Sequence, residues 1–355
     1  MKSEFKVIFG ENCADEWDSI VKSFAQWDIY YLYEYTESMA RRGDGKQFLF
    51  YFMGGKSRMC YPVHMKDIAD FPAFCSVLPH GEYYDISTPY GYGGPLVEGD
   101  FDEKEQEAFD KPYREFCREH HIVTQFVRYH PLLQNQYTIA HVSETADIKE
   151  TIFIDTTDKD LIFSNLDSKN RNMIRKAENS GVEIFADDGE HLDDFIRIYE
   201  LTMRRLKAKR YYFFERSYYE YLISDMGQYT KFFYAKLNDE IISSSIFFFN
   251  EQFMHYHLSG TVTDYRAYAP TNLLLYQAAL WANERGIQKL HLGGGTGIVD
   301  SLFDFKKRFN KNGHLPFWIG RTIIDRPTYD HLLNVRKELD PLFDENNDYY
   351  IQYRK

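Results

Sequence analysis

Apolar and polar positions along the chain switch between a short and a long period, and each switch marks an element. Residues 5–9 read as a short strand. Residues 12–25 carry a helical stripe, with Trp17, Ile20, Val21 and Phe24 on one face. Two apolar runs, 48–53 and 58–63, are separated by Gly54-Gly55, which predicts a hairpin. A strand follows, and then Pro89-Tyr90-Gly91-Tyr92-Gly93-Gly94-Pro95, whose glycines and prolines forbid a regular element and predict a shaped loop. A helix over 102–120 and a strand at 122–128 complete this group. The polar stretch 130–145 predicts a crossing between domains.

A second group starts with a strand at 151–154. Asp158 is a candidate N-cap for a helical region ending near Asn179-Ser180, with Gly181 as its stop. A strand at 182–185 and a helix over 190–209 follow. Strands at 231–237 and 241–249 flank the turn signal Asn238-Asp239, and a third strand covers 253–259. The apolar helix 271–285 ends at Gly286 and leads into a strand at 287–292, which Gly293-Gly294-Gly295 breaks. A short helix over 300–308 and a strand at 316–324 close the group. This order predicts an α+β layer in which one helix crosses between two parallel central strands. The first half shows a shorter version of the same succession.

Composition narrows the class. A chain of 355 residues exceeds one ordinary core and divides into two domains, 1–145 and 146–355. The four cysteines (Cys13, Cys60, Cys75, Cys117) have no CxxC spacing, so neither a zinc site nor a disulfide framework is indicated. There is no apolar run long enough for a membrane span, and the first residues lack the apolar core of a signal peptide. A cytoplasmic protein is the expectation. The net charge of -12 argues against a duplex-DNA partner, but it is unevenly spread. Residues 151–355 hold 27 basic and 29 acidic side chains, against 15 and 25 in residues 1–150. An anionic ligand is therefore expected in the second half.

Candidate chemistry concentrates there too. The strand ending at 261, the loop 264–270 and the helix starting at Pro270-Thr271-Asn272 form a strand–loop–helix unit, whose N-terminal N–H groups would favour an anion, with Thr271 as a candidate cap. An ordinary capped core helix is an equal reading of the same spacing. His255 and His257 share one strand face, but no third ligand lies nearby in the sequence, so no metal is expected. Gly293-Gly294-Gly295-Thr296-Gly297 fails the dinucleotide fingerprint, because Ile298 stands where glycine is needed. A turn that lets neighbouring strands splay accounts for it better. Three basic clusters remain: Lys169, Arg171, Arg175 and Lys176; Arg204, Arg205, Lys207, Lys209 and Arg210; and Lys306, Lys307, Arg308 and Lys311. Together they point to phosphate or diphosphate contact.

The ordered series Ser168-Lys169-Asn170-Arg171-Asn172-Met173-Ile174-Arg175-Lys176-Ala177, the 256–261 strand, Tyr265-Arg266, Ala269-Pro270-Thr271-Asn272, the 290–295 strand and Phe305-Lys306 resembles the FemAB-like branch of the GNAT superfamily, which includes the peptidoglycan interpeptide-bridge aminoacyltransferases. The Tyr90–Pro95 loop looks like the matching element of the N-terminal half, so the resemblance covers nearly the whole chain. It implies two tandem GNAT-like domains, each a mixed sheet flanked by helices, around a central cleft. It also implies transfer of an aminoacyl or acyl group to an amine of a cell-envelope precursor.

By position, the resemblance assigns Lys306 to charge stabilisation beside the transferred acyl group, Asp85 to the amine and Tyr256 to the acyl pocket. Arg171 and Arg175 fall to substrate phosphate, and Tyr90, Tyr92, His257, Arg266, Thr271 and Asn272 to the rest of the substrate. No tightly bound cofactor is implied. The co-substrate is aminoacyl-tRNA or acyl-CoA, and the partners are a phosphate-bearing envelope precursor or amino sugar and a charged tRNA. Loop 266–272 lacks the glycine-rich cradle of acetyl-CoA-dependent members, and the chain lacks the long helical hairpin of some bridge-forming ones. The alternatives are an acetyl-CoA-dependent N-acetyltransferase of an amino sugar or other small amine, and a non-catalytic binding module of the same fold.

Overall fold

A computed structural model describes residues 3–139, 141–295 and 300–355. The chain forms two compact units, one of Met1–Ile148 with Phe317–Lys355 and one of Lys149–Pro316. The first boundary lies near the expected 145/146. The second differs from the expected 146–355 domain, because residues 317–355 belong with unit 1. Tyr329, Leu332, Ile351 and Tyr353 share one buried cluster with Ile68, Phe74 and Val123, which fixes the C-terminal segment there.

In chain order, unit 1 contains β1 (Glu4–Phe9), α1 (Ala14–Lys22), α2 (Tyr33–Met39), β2 (Lys46–Met53), β3 (Ser57–Asp67), β4 (Tyr84–Ser87), β5 (Leu96–Gly99), α3 (Glu103–Glu119) and β6 (Ile122–Arg128). After β7 (Glu144–Asp155), unit 2 continues with α4 (Lys159–Asn165), α5 (Ser168–Asn179), β8 (Glu183–Asp187), α6 (Leu192–Arg205), α7 (Arg216–Ser224), β9 (Thr230–Leu237), β10 (Glu240–Phe249), β11 (Phe253–Thr261), α8 (Pro270–Glu284), β12 (Lys289–Gly294) and α9 (Ser301–Lys306). Strand β13 (His314–Ile323) and helix α10 (Arg326–Leu339) end the chain's regular structure, followed by short turns.

Unit 1 orders its strands β1-β2-β3-β4-β6-β13, with β5 beside β3. Every neighbouring pair is antiparallel except β4 and β6, which α3 connects as a crossing helix. Unit 2 orders its strands β7-β12-β11-β10-β9-β8, and only β11 and β12 are parallel, with α8 crossing between them. The architecture is mixed α+β, with mixed sheets flanked by helices.

Local chemistry explains the principal elements. In unit 1 the alternate residues Phe48, Phe50 and Phe52 of β2 face Phe109, Tyr113 and Phe116 of α3, so much of the aromatic excess is core. Phe109 and Tyr113 stack at 5.4 Å, and Phe50 meets Phe116 edge-on at 5.3 Å. The predicted hairpin turn at Gly54-Gly55 is held by the buried Glu105 carboxylate, which accepts the Gly55 N–H at 3.1 Å and the Ser57 hydroxyl at 2.8 Å. A Cβ at Gly54 would lie 1.7 Å from that carboxylate, so a larger residue there would displace the group that holds the turn.

In unit 2 the Asn238-Asp239 turn has both residues in the left-handed region, at φ 50° and 64°, the geometry of a tight hairpin. Helix α8 is apolar on most sides and buries Leu273, Leu274, Leu275, Ala278, Ala279 and Ala282 in the core beneath its sheet. The helical region expected from Asp158 to Ser180 is two helices. Asp158 caps α4, and Asp167 caps α5 by accepting the Asn170 N–H at 2.6 Å, with buried Leu166 extended between them. Among the described residues, no helix is long and apolar enough to cross a membrane.

Candidate active site

The parallel pair in unit 2 opens partway along its length. Strands β11 and β12 pair at Phe253↔Lys289, Met254↔Leu290 and His255↔His291, and the pairing then stops. Each strand carries one extra residue just beyond this point. His257 is unmatched between Phe247↔Tyr256 and Ile246↔Leu258, and Leu292 is unmatched between His291↔Phe153 and Gly293↔Ile152. A bulge bends its strand and increases local twist, so two adjacent bulges turn the strand ends away from each other. Residues 256–261 remain paired to β10, and 293–294 to β7, so a gap lies between them. Of the glycine-rich run, Gly293, Gly294 and Gly295 border the gap; Thr296, Gly297 and the neighbouring Ile298 lie outside the described residues.

Lys306 reaches the end of β12. Asp300 starts its helix by accepting the N–H groups of Leu302 at 2.9 Å and Phe303 at 3.2 Å. Helix α9 begins at Ser301 and ends at Lys306, whose side chain is buried. Its Nζ donates to the Gly294 carbonyl at 2.7 Å and lies 5.8 Å from the centre of the Tyr256 ring. Lys149 Nζ donates to the next carbonyl, Gly295, at 3.1 Å. Burial above all, and then the Lys149 charge, push Lys306 down to about 7, against the opposing pull of Asp300. Both protonation states of Lys306 are thus accessible near neutral pH.

The neighbouring helices are tied to this corner by amides. The buried Asn170 accepts from Asn272 Nδ2 at 2.7 Å and donates to the Arg308 carbonyl at 3.3 Å, while the Asp167 N–H donates to the same carbonyl at 2.9 Å. These bonds fix α5, α8 and the end of α9 together. Arg171, one residue on, is half-buried and donates to the Leu166 carbonyl at 2.5 Å, whereas Arg175 is exposed one turn later.

Thr271 is not the helix cap expected from the sequence. The N-cap of α8 is Ala269, in the left-handed region at φ 56°, and it makes no side-chain cap. The Thr271 hydroxyl instead joins Thr261 Oγ1 at 2.8 Å and Ser243 Oγ at 3.2 Å. This first turn is a poor anion cradle: Pro270 has no N–H, and the Asn272 N–H is used by the Ala269 carbonyl at 3.1 Å. His257 Nε2 is bonded to the Tyr218 hydroxyl at 2.8 Å, and Arg266 is exposed in the turn after β11. Tyr256 lines the corner, its hydroxyl held proton-bound chiefly by burial.

The residues assigned in the first half fare differently. Asp85 is buried in unit 1 and accepts from four donors: Thr124 Oγ1 at 2.5 Å, Tyr353 Oη at 2.6 Å, and Arg354 Nε and Nη2 at 2.9 and 2.6 Å. Its two oxygens are committed to holding the C-terminal residues, whereas the resemblance assigned it to the amine. Tyr90 contributes its carbonyl to the Tyr35 hydroxyl at 2.5 Å, and Tyr92 packs edge-on to Tyr30, His130 and Phe317. Asn135 clamps their loop through the Gly93 and Pro95 carbonyls at 3.0 and 3.1 Å.

Two contributors escape sequence reasoning. Lys149 sits in an ordinary polar stretch, and nothing local marks it as a neighbour of Lys306. Asn170 lies inside the basic run, where the charges are conspicuous but the amide carries the packing.

Residues 165–307 match the acetyltransferase (GNAT) domain family. No curated protein matches the chain. Among solved structures, FemX superposes with a TM-score of 0.67 at 15% identity, covering 93% of this chain and 99% of FemX. A conserved protein of unknown function from Bacteroides thetaiotaomicron VPI-5482 gives 0.59 at 12%, covering 89% and 100%. The C-terminal DUF2156 domain assigned to a lysylphosphatidylglycerol synthetase from Agrobacterium fabrum gives 0.55 at 14%, covering 87% and 91%. At these identities the likeness is one of fold. The chain carries an acyltransferase domain of the GNAT superfamily, and the Lys306 corner lies within or against the matched segment.

Proposed function

We propose that the chain is an aminoacyl- or acyltransferase that forms an amide on an amine of a phosphate-bearing cell-envelope precursor, with both units GNAT-like and the chemistry in unit 2. The observation that carries this reading is the opening of β11 from β12 beside a buried lysine held near pH 7. Amide formation needs an activated carbonyl held at attack distance and a donor for the oxyanion that develops. In the reaction the amine nitrogen bonds to the acyl carbon. The tetrahedral oxyanion then collapses, the ester C–O bond of an aminoacyl-tRNA or the C–S bond of an acyl-CoA breaks, and the amine's proton leaves with the departing oxygen or sulfur.

In this reading the Lys306 ammonium stabilises the oxyanion and Tyr256 walls the acyl group. Arg171 and Arg175 face the precursor's phosphate, and Asn272, Thr271, His257 and Arg266 shape the remainder. The poor anion cradle at the start of α8 favours aminoacyl-tRNA over coenzyme A esters. The match to an acetyltransferase domain family favours the second reading, an acetyl-CoA-dependent N-acetyltransferase of an amino sugar or other small amine.

Thermal melting against acetyl-CoA, longer acyl-CoAs and charged tRNA separates them, since a ligand of the folded state raises Tm. A saturable shift with charged tRNA that weakens steeply with salt supports the aminoacyltransferase. A shift with a coenzyme A ester alone selects the N-acetyltransferase. A donor that binds but is transferred as fast by Lys306→Ala as by the wild type removes the lysine from the mechanism.

A further inference from the structure

We propose that the end of α6, the segment after it and the turn after β11 form a docking surface for an anionic lipid bilayer. Residues 201–212 contain five cations (Arg204, Arg205, Lys207, Lys209 and Arg210) and no carboxylate. The turn at Thr263–Tyr268 adds Arg266. Direct bonds bring these segments together. The Thr261 N–H donates to Thr202 Oγ1 at 3.0 Å, the Tyr199 hydroxyl to the Tyr212 carbonyl at 2.9 Å, and the Ala208 N–H to the Met203 carbonyl at 3.0 Å. A Cβ at Gly260 would stand 2.7 Å from the Ile198 carbonyl, so glycine there lets β11 approach α6 closely.

Nearby carboxylates account for only part of this charge. Glu200 pairs with Arg204 at 2.9 Å, Glu215 with Arg210 at 2.8 Å, and Glu240 accepts from the Tyr265 hydroxyl at 2.6 Å, while Asp264 is exposed in the same turn. Arg205, Lys207, Lys209 and Arg266 have no ion pair among the described residues. Arg205 and Arg266 are near enough to repel: partial burial first, and Arg266 second, lower the Arg205 pKa. A protein of net charge -12 thus concentrates unneutralised cations on one patch.

The same patch exposes apolar side chains. Leu206 is 60% exposed and Leu201 51%, with Tyr211, Tyr212 and Tyr268 at about two fifths each. Cations interleaved with leucine and tyrosine suit the interface of an anionic membrane, where charge meets headgroups and apolar tips enter the acyl boundary. Single-stranded nucleic acid also fits cations and tyrosines, but the two most exposed apolar residues are leucines, which have no ring to stack on a base. That difference selects the lipid. The surface is independent of which group the chain transfers.

The test is cosedimentation of the full chain with phosphatidylglycerol-containing vesicles and with pure phosphatidylcholine vesicles at low and moderate salt. The expected result is binding to the first, loss with salt, and none to the second. Lys207→Gln with Lys209→Gln should weaken binding about 25-fold, from roughly fivefold per cation. Leu201→Ser with Leu206→Ser should weaken it about tenfold. Melting curves of both variants check that the fold is kept. No binding to either vesicle, equal binding to both, or full binding by both variants overturns the proposal. Displacement of vesicles by a single-stranded RNA oligonucleotide, with the oligonucleotide's own binding lost in the lysine variant, makes nucleic acid the occupant instead.

Discussion

Units 1 and 2 are built on one strand plan, and their parallel pairs show how differently that plan can be finished. In unit 1 the ladder between β4 and β6 runs from Tyr84 to Ser87 and is then extended. The Thr88 N–H donates to the Phe126 carbonyl at 3.1 Å, the Gly93 N–H to the Arg128 carbonyl at 2.8 Å, and Gly93 bridges to Tyr129. In unit 2 the corresponding pair stops after His255↔His291, and bulges turn the two strands away from each other. The polar groups follow suit. Asp85, on the closed pair, has four donors, whereas Lys306, beside the open pair, is a buried cation with a carbonyl partner and a cationic neighbour. A closed pair with a saturated carboxylate serves stability; an open pair over a desolvated lysine is where the proposed chemistry would sit.

The largest expected effect lies in the closed unit. Asp85→Ala leaves the Arg354 guanidinium and two hydroxyls without their acceptor. It should lower stability in urea unfolding by about 3–5 kcal/mol, the usual loss when one partner of a buried ion pair is removed. Turnover per folded molecule should be unchanged, and a selective loss of kcat would return Asp85 to the reaction.

Next comes Lys306→Ala, expected to lower kcat about 10²–10³-fold while the melting transition persists. Lys306→Met should go further and stabilise the protein at pH 7. A lysine lowered from 10.5 to about 7 binds fewer protons folded than unfolded between those values, so its destabilising effect is complete below pH 7 and fades as pH rises toward 10.5. The Tm gap between Lys306→Met and wild type should therefore narrow across that window. A gap independent of pH would mean that Lys306 titrates normally.

Asn170→Ala should cost about 1–3 kcal/mol by leaving the Asn272 amide without its acceptor and the Arg308 carbonyl with the Asp167 N–H alone, seen as a lower urea midpoint. Tyr256→Phe keeps the ring that faces Lys306 and should change kcat by less than about tenfold, the smallest effect of the series.

Much of this contrast was legible in the residues. The hairpin at Gly54-Gly55, the Asn238-Asp239 turn, helix α8 and the parallel strands around it follow from period and turn chemistry, which are local. Helices α2, α7 and α10 were not anticipated; α2 and α7 are short, and α10 buries only Tyr329 and Leu332, so their form owes more to the surfaces they cover than to a local pattern. The joining of residues 317–355 to unit 1 was equally hidden, since Tyr353 and Arg354 meet Asp85 across 268 and 269 positions of sequence. Lys306 stood out in a basic cluster and drew its assignment from a resemblance, but its burial beside Lys149 could not be read from spacing. Asp85 shows the converse: the resemblance assigned it to the amine, and the four donors that hold its carboxylate could not be read from the sequence around it.

Hydrogen exchange of the backbone, with and without the donor that raises Tm most, tests directly whether the open pair is where the donor binds. Binding at the open pair should slow exchange in residues 256–261 and 292–294 of unit 2 and leave residues 84–93 of unit 1 unchanged. Protection confined to 84–93, or a bound donor that leaves 256–261 and 292–294 as they were, would contradict it.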